Sequence, residues 1–148
     1  MKTARISVLC KADHGAALVE LAVVIPILLL LVFGAVDFGR AYYVGLQVTN
    51  AAHAGAEYGS LHPTDTAGIT NAVKNIYPNL PSPTVTYGCE CSDGTSSIPF
   101  CSTKPTTCSG NVVNWATVKT STPYTPLIPW PGIPKSFTLS GAATVRGN

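Results

Sequence analysis

The sequence predicts an α+β protein: a long N-terminal transmembrane helix that extends into a small head with a 3-4-stranded, mostly antiparallel sheet. Three observations predict it. Leu21 to Val36 is a run of sixteen residues without a charge, and Ala16 to Val19 prolong it on the far side of Glu20. From Asp37 to Glu57 polar residues return at helical steps. Beyond Val85 the apolar period falls to two, in segments separated by Pro, Gly and Cys.

The first fifteen residues are a basic leader. Lys2, Arg5 and Lys11 oppose only Asp13 before Gly15. Cations ahead of an apolar span favour a cytoplasmic N-terminus, which places the head outside. An ordinary secretory signal has a shorter apolar core closed by a small-x-small cleavage site. Here the run is longer, carries Glu20 near its start and lacks that closure, so an anchor is expected. A bilayer core needs roughly 20 apolar residues in a helix, and the span just suffices.

Pro26 lies inside the anchor. It has no amide hydrogen for the Ala22 carbonyl, so a kink or local loosening is expected. Neighbouring groups make such prolines tolerable in membrane helices.

The helix is expected to continue past the membrane to Leu61, just before Pro63. Asp37, Arg40, Gln47, Asn50, His53 and Glu57 make one polar stripe. Asp37 and Arg40 are an i, i+3 pair whose plain role is anchoring and orientation at the outer membrane edge. Ala41 and Gly45, then Ala51, Gly55 and Gly59, recur every four residues. Small residues at that step let another backbone approach closely. The simplest occupant is the sheet of the same head; helices of other subunits are the alternative. From Ala16 to Leu61 the helix would be about 69 Å long.

The remainder, 62–148, is the head. Thr64, Asp65 and Thr66 offer N-cap oxygens. Ile69, Ala72, Val73, Ile76 and Tyr77 then form one apolar face of a short helix stopped by Pro78. Pro81 and Pro83 stiffen the connector. Val85, Tyr87, Cys89 and Cys91 alternate with Thr86, Gly88 and Glu90 as a strand, and Asp93-Gly94 marks a turn. Ser92 to Gly110 reads as a polar loop pinned by cysteines, with a short strand at Ile98–Cys101. Val112–Tyr124 and Ser136–Arg146 are the last strands, the latter bent at Gly141. Five prolines between Pro123 and Pro134 exclude a central strand there. An extended, polyproline-like crossover that caps the core is expected, with partner binding through Tyr124 and Trp130 as the alternative.

From Ala16 onward six Lys and Arg balance six Asp and Glu. No basic field remains to attract nucleic acid. Charged residues are 11% of the chain, a low share that suits an anchored or assembled protein. Cys10 precedes the anchor, whereas Cys89, Cys91, Cys101 and Cys108 lie together in the head. An even set beyond a membrane span reads as two disulfides in an oxidising compartment. All three pairings are open; a nested one, Cys91 with Cys101 and Cys89 with Cys108, suits a hairpin-like excursion. The spacing is not that of a structural zinc site. His14, His53 and His62 have no ligand spacing, and Asp65, Glu90 and Asp93 are scattered. No catalytic group, cofactor loop or metal set can be assembled, so the chain does not read as an enzyme.

Gly15, followed after an interval of four residues by Glu20, opens the apolar helix. That arrangement resembles the processing site of type IV pilins. The resemblance narrows with three runs: Gly15 to Pro26, Phe33-Gly-Ala-Val-Asp-Phe-Gly-Arg40, and Asn50-Ala-Ala-His-Ala-Gly-Ala-Glu-Tyr58. Together they are similar to the TadE-like family of minor pilins or pseudopilins of the tight-adherence (Flp, type IVb) pilus system. Phe137 to Arg146 is similar to that family's closing strand, more weakly. Leu21 departs from the pattern, because many type IVb relatives carry an aromatic after the Glu. The resemblance implies a membrane-anchored precursor cut between Gly15 and Ala16 by a prepilin peptidase, a membrane aspartyl enzyme acting on the cytoplasmic side. It implies pilin or pseudopilin subunits and an assembly platform as partners, besides the lipid bilayer. It also implies residence in the cytoplasmic (inner) membrane, or a place in an extracellular pilus.

Physical chemistry gives Glu20 a matching part. A carboxylate in hydrocarbon is costly and tends to be paired. Cleavage after Gly15 would create a cationic amine on Ala16 within reach of it. The plain alternative is a Glu that snorkels at the cytoplasmic edge. The rival reading of the whole chain is an uncleaved single-pass membrane protein whose head binds a surface ligand or partner.

Overall fold

The apolar run and the polar stripe form one uninterrupted helix, α1 (Ala12–Leu61), in the computed structural model of the chain. Residues 12–94, 97–98, 108 and 110–147 are described. The helix passes through Pro26 as a single element. Contacts divide the chain into two units, 1–38 and 39–148.

In the first unit the apolar side chains are uncovered among the described residues. Every Leu, Ile, Val and Phe from Leu18 to Val36 is between 43% and 68% exposed. Apolar patches beyond a few hundred Å² are rare on soluble monomers. Nineteen helical residues span about 28 Å, close to the roughly 30 Å of a bilayer core. This is one helix long and apolar enough to cross a membrane, with a mean hydropathy of 2.9 over its best window.

The second unit is built on the remainder of α1. A turn at Pro63 leads to α2 (Thr66–Ile76). Four strands follow: β1 (Thr84–Cys91), β2 (Ser97–Ile98), β3 (Val112–Tyr124) and β4 (Phe137–Arg146). They form one sheet in the order β2-β1-β3-β4, antiparallel throughout. The short strand lies at Ser97–Ile98, earlier than Ile98–Cys101; the rest of that stretch, Cys101 included, lies outside the described residues.

Registers put Val85, Ala116, Val118, Thr120 and Ala143 on the face turned to the helices. Ala116, Val118, Thr120 and Ala143 are buried there. On the helix side the core is Val48, Ala51, Ala52, Ala56, Ile69 and Val73, with Leu80 beside them. The small residues of α1 make this possible. A methyl at Gly55 would meet Val73 Cγ2 at 2.6 Å, and one at Gly59 would meet Ala116 Cβ at 2.9 Å. The Ala51, Gly55 and Gly59 part of the four-residue ladder is therefore spent on the head's own sheet and α2, as the simpler reading expected, whereas a methyl at Gly45 would touch nothing within 4 Å.

β3 runs antiparallel to α1. Ala116 lies at Gly59, Val118 at Gly55, the Thr120 hydroxyl donates to the Val48 carbonyl at 2.9 Å, and Tyr124 carries Arg40 over its ring at 5.8 Å. Nineteen helical steps from Arg40 to Gly59 span about 28 Å, and eight strand steps from Ala116 to Tyr124 about 26 Å. The two elements match in length, so contacts stay in step from end to end. β4 lies alongside: Gly141 approaches the backbone of Val48 and Thr49, and Gly147 that of Ser60.

Two expectations are corrected. The proline-rich segment is no crossover between distant strands, because β3 and β4 are direct neighbours paired up to Tyr124↔Phe137. It is a long hairpin loop. Pro123 is tolerated in β3 because β1 pairs with β3 only as far as Lys119, which leaves β3 an edge at that point. The nested cysteine pairing also fails. Cys91 is bonded to Cys108, with Cα atoms 5.7 Å apart. The register explains it: Cys91 faces Val112, so the chain arriving at β3 brings Cys108 to the end of β1. Cys89, one strand repeat further in, is also disulfide-bonded.

Three outcomes test this fold. Gly141→Ala forces a methyl against helix backbone 2.8 Å away and should cost about 1–3 kcal/mol in denaturant unfolding. Gly45→Ala meets open space and should stabilise by roughly 0.5–1 kcal/mol. Replacing Cys91 and Cys108 together by Ser opens a crosslink of sequence separation 17. It should lower stability by about 3 kcal/mol, and peptide mapping of the parent should find the two cysteines joined.

Candidate processing and assembly site

Gly15, Ala16 and Glu20 lie in α1, all exposed, ahead of the apolar run. A methyl at Gly15 would touch nothing within 4 Å, so packing does not require glycine there. In a helix, residues four apart stand one above the other on one face. Glu20 therefore stands one turn, about 5–6 Å, beyond Ala16. Pro26 follows within the exposed apolar stretch. The geometry brings Ala16 and Glu20 to one side of the helix. Nothing in the rest of the described chain covers Glu20.

The polar stripe beyond the anchor is divided. Asn50, His53 and Glu57 are exposed, Gln47 is half-buried, and Asp37 is only 6% exposed. Tyr42, Tyr43 and Leu46 add exposed bulk to the same stretch of helix.

The head brings few reactive groups together. Among the described residues no three His, Cys, Asp or Glu side chains converge as a metal set. A shallow depression of about 320 Å³ on the outer sheet face is lined by Thr84, Lys119, Ser121, Ser140 and neighbours. It holds one cation and no carboxylate, imidazole or thiol to serve as its acid–base partner. On the same face Arg146 pairs with Glu90, and Thr117 and Thr144 share a hydrogen bond at 2.7 Å. These are cross-strand ties of the ordinary kind.

One cluster was not legible in the sequence. Tyr58, His62 and Asp65 meet where α1 hands over to α2. The Asp65 carboxylate accepts from the Gly68 amide at 2.9 Å and from the Tyr58 hydroxyl at 2.8 Å. His62 stacks on the Tyr58 ring, centroids 4.7 Å apart. The Gly68 amide, then the Tyr58 hydroxyl, holds the Asp65 carboxyl below its ordinary 3.8. The same bond to Asp65 pushes the Tyr58 phenol above its ordinary 10.0. Asp65 is the N-cap of α2, and Tyr58 ties that cap to α1. Its exposure and its role as a cap mark a structural clasp.

The site that remains is therefore the anchor itself. Residues 15–57 match the model of the TadE-like protein family. The match covers under a third of the 148 residues. It takes in the anchor and most of the helix that carries the head, which is where the motifs of the sequence lie. The TadE-like family is pilus-related and structural rather than enzymatic. No curated protein and no solved structure matches the chain. The matched stretch takes in the exposed apolar run of the one helix, among the described residues, that is long and apolar enough to cross a membrane.

The clasp has a pH signature. Asp65 favours its charged form when folded, so its contribution is present above 3.8 and lost as pH falls through the lower folded value. The melting temperature of Asp65→Asn should lie below that of the parent at neutral pH, and the gap should close as pH falls below that range. Tyr58 acts in the opposite sense: its contribution is present below 10.0 and lost as pH rises through the higher folded value.

Proposed function

We propose that the chain is a minor pilin or pseudopilin precursor of a type IVb (Flp) pilus or a related secretion apparatus. In this reading a prepilin peptidase cuts between Gly15 and Ala16 on the cytoplasmic side of the inner membrane. The N-terminus lies inside and the head outside. The mature subunit is held in the bilayer until other subunits and the assembly platform draw it into an assembly. The observation that carries the proposal is the TadE-like match beginning at Gly15, on a helix whose apolar half has no cover of its own.

The mechanism is mechanical. The anchor loses its lipid surroundings on extraction and must find apolar cover again, which neighbouring helices supply by van der Waals packing. Glu20 sets the level. Paired with the new amine on Ala16, of its own helix or of a neighbour, it removes the cost of an isolated carboxylate in hydrocarbon. Pro26 frees the Ala22 carbonyl and gives the anchor a point of compliance.

Intact mass and N-terminal sequencing of protein from cells that also express a prepilin peptidase should show Ala16 as the first residue. A retained leader alongside normal fibres would sink the proposal, and an uncleaved membrane receptor would take its place. Glu20→Leu should insert normally yet fail to enter assemblies, scored by the shear-released fraction. Normal assembly of that variant would end the pairing role of Glu20.

A further inference from the structure

We propose that the free edge of β4 is a docking site for an extended acidic peptide of another protein, which joins the four-stranded sheet as one strand more and seats a carboxylate beside Lys119. The inference concerns the head alone and goes beyond the processing and membrane readings.

The backbone of β4 sets the site. The Gly147 amide donates to the Asn114 carbonyl at 2.8 Å. In an antiparallel ladder, opposite residues alternate between pairs that exchange hydrogen bonds and pairs that do not. Along the register from Asn114 and Gly147, the bonded pairs are Ala116–Val145, Val118–Ala143, Thr120–Gly141, Thr122–Leu139 and Tyr124–Phe137. Thr138, Ser140, Ala142, Thr144 and Arg146 therefore turn their N–H and C=O groups away from β3. β4 is the last strand on that side, and these five residues are exposed. Among the described residues nothing bonds to the outward main chain of Thr138, Ser140, Ala142 or Thr144.

Natural sheets blunt such an edge with a bulge, a proline, a central charge or a cover. β4 has no proline, pairs one to one with β3 from Phe137 to Arg146, and carries its only charge at its last residue. A row of alternating main-chain donors and acceptors matches another extended backbone, and pockets beside the row select its side chains.

Such a pocket is present. Ala142 is the one member of the outer row with neither a hydroxyl nor a charge. Its small side chain borders the depression of about 320 Å³ lined by Thr84, Lys119, Ser121 and Ser140. Lys119 is the register partner of Ala142 and is exposed, with no carboxylate partner among the described residues. An added strand lies two strand spacings, about 10 Å, from Lys119, a gap that a lysine and a glutamate close across Ala142. The wider charge agrees. After Asp93 the chain carries Lys104, Lys119, Lys135 and Arg146 and no Asp or Glu.

The same inventory makes the occupant a different protein. Of this chain's own carboxylates, Asp13, Glu20, Asp37 and Glu57 lie in α1, and Asp65 caps α2. Glu90 pairs with Arg146, and Asp93 sits in the turn after β1. None is offered on an open strand.

The full chain in detergent micelles, with a fluorescent peptide of alternating threonine and valine around one central glutamate, tests it. Anisotropy should show binding that weakens with added salt. By NMR, hydrogen exchange at the Ser140, Ala142 and Thr144 amides should slow when the peptide is added, while Leu139, Gly141 and Ala143 are slow throughout. The same peptide N-methylated at every residue has no donor on either edge and should not bind. Ala142→Pro removes one outward amide without touching a bond to β3 and should weaken binding about tenfold. Lys119→Gln, or glutamine in place of the peptide's glutamate, should each weaken it about threefold, and the two together no further. Failure of the peptide to bind, binding that leaves the three amides fast, or binding of the N-methylated peptide overturns the site. Equal affinity for the glutamate and glutamine peptides overturns the acidic occupant. Slowing of the three amides that grows with protein concentration without peptide assigns the edge to a second copy of the chain and overturns the proposal.

Discussion

The head depends on one close approach, that of the α1 backbone to the β3–β4 pair. The buried Thr120 hydroxyl donates to the Val48 carbonyl, and Gly141 brings β4 against the backbone of Val48 and Thr49. Neither contact survives a larger side chain between the two layers. A β-branched residue at Gly141 would meet main-chain atoms, which cannot swing aside as a side chain can. The small residues of α1 and the glycine of β4 are thus two halves of one requirement, and the hydroxyl of Thr120 fixes the sliding position of strand on helix.

That requirement limits how subunits can meet. Ala51, Ala52, Gly55, Ala56 and Gly59 are already buried in their own head, so that part of the ladder is not free to receive a second helix. Any helix-to-helix packing above the membrane must use the remaining faces, where Tyr42, Tyr43, Leu46, Asn50, His53 and Glu57 are exposed. Below Phe38 the situation is reversed: the apolar side chains are open on every side. The physical division of labour is then clear. The lower helix offers greasy, non-specific area, and the upper helix offers polar and aromatic groups able to select a partner.

The parts of this fold that were legible are those with a strong period. The sixteen uncharged residues, the apolar face of α2 and the alternation in β1 and β3 each carry one dominant signal, and β3 falls on Val112–Tyr124 as read. Long-range partnerships were less legible. The four-residue ladder told that a backbone would come close but left its owner to be weighed between sheet and neighbour. Cys89 and Cys91 share a strand face, so their spacing is the same for every pairing; only the register with β3 chooses Cys108 for Cys91. The proline run announced stiffness, and its role as a hairpin followed only from β4 lying beside β3. Asp65 was recognisable as a cap, whereas Tyr58, seven residues away in another helix, had no local signal linking it to that carboxylate. At the candidate site the sequence supplied the residues on which the reading rests, since Gly15 and Glu20 are recognised by their interval, and the structure adds that Ala16 and Glu20 share one helix face.

A polar clasp at Tyr58 and an aromatic pair at Arg40 give the two ends of the head's part of α1 different surroundings. At Leu61 the chain must leave the helix at once, and Tyr58, His62 and Asp65 hold α2 there by hydrogen bonds and stacking that water can also reach. At the other end Arg40 lies over the Tyr124 ring, 5.8 Å from its centroid, and Tyr124 packs on Phe137 with ring centroids 5.3 Å apart, so β3 and β4 meet the helix there through aromatic surface.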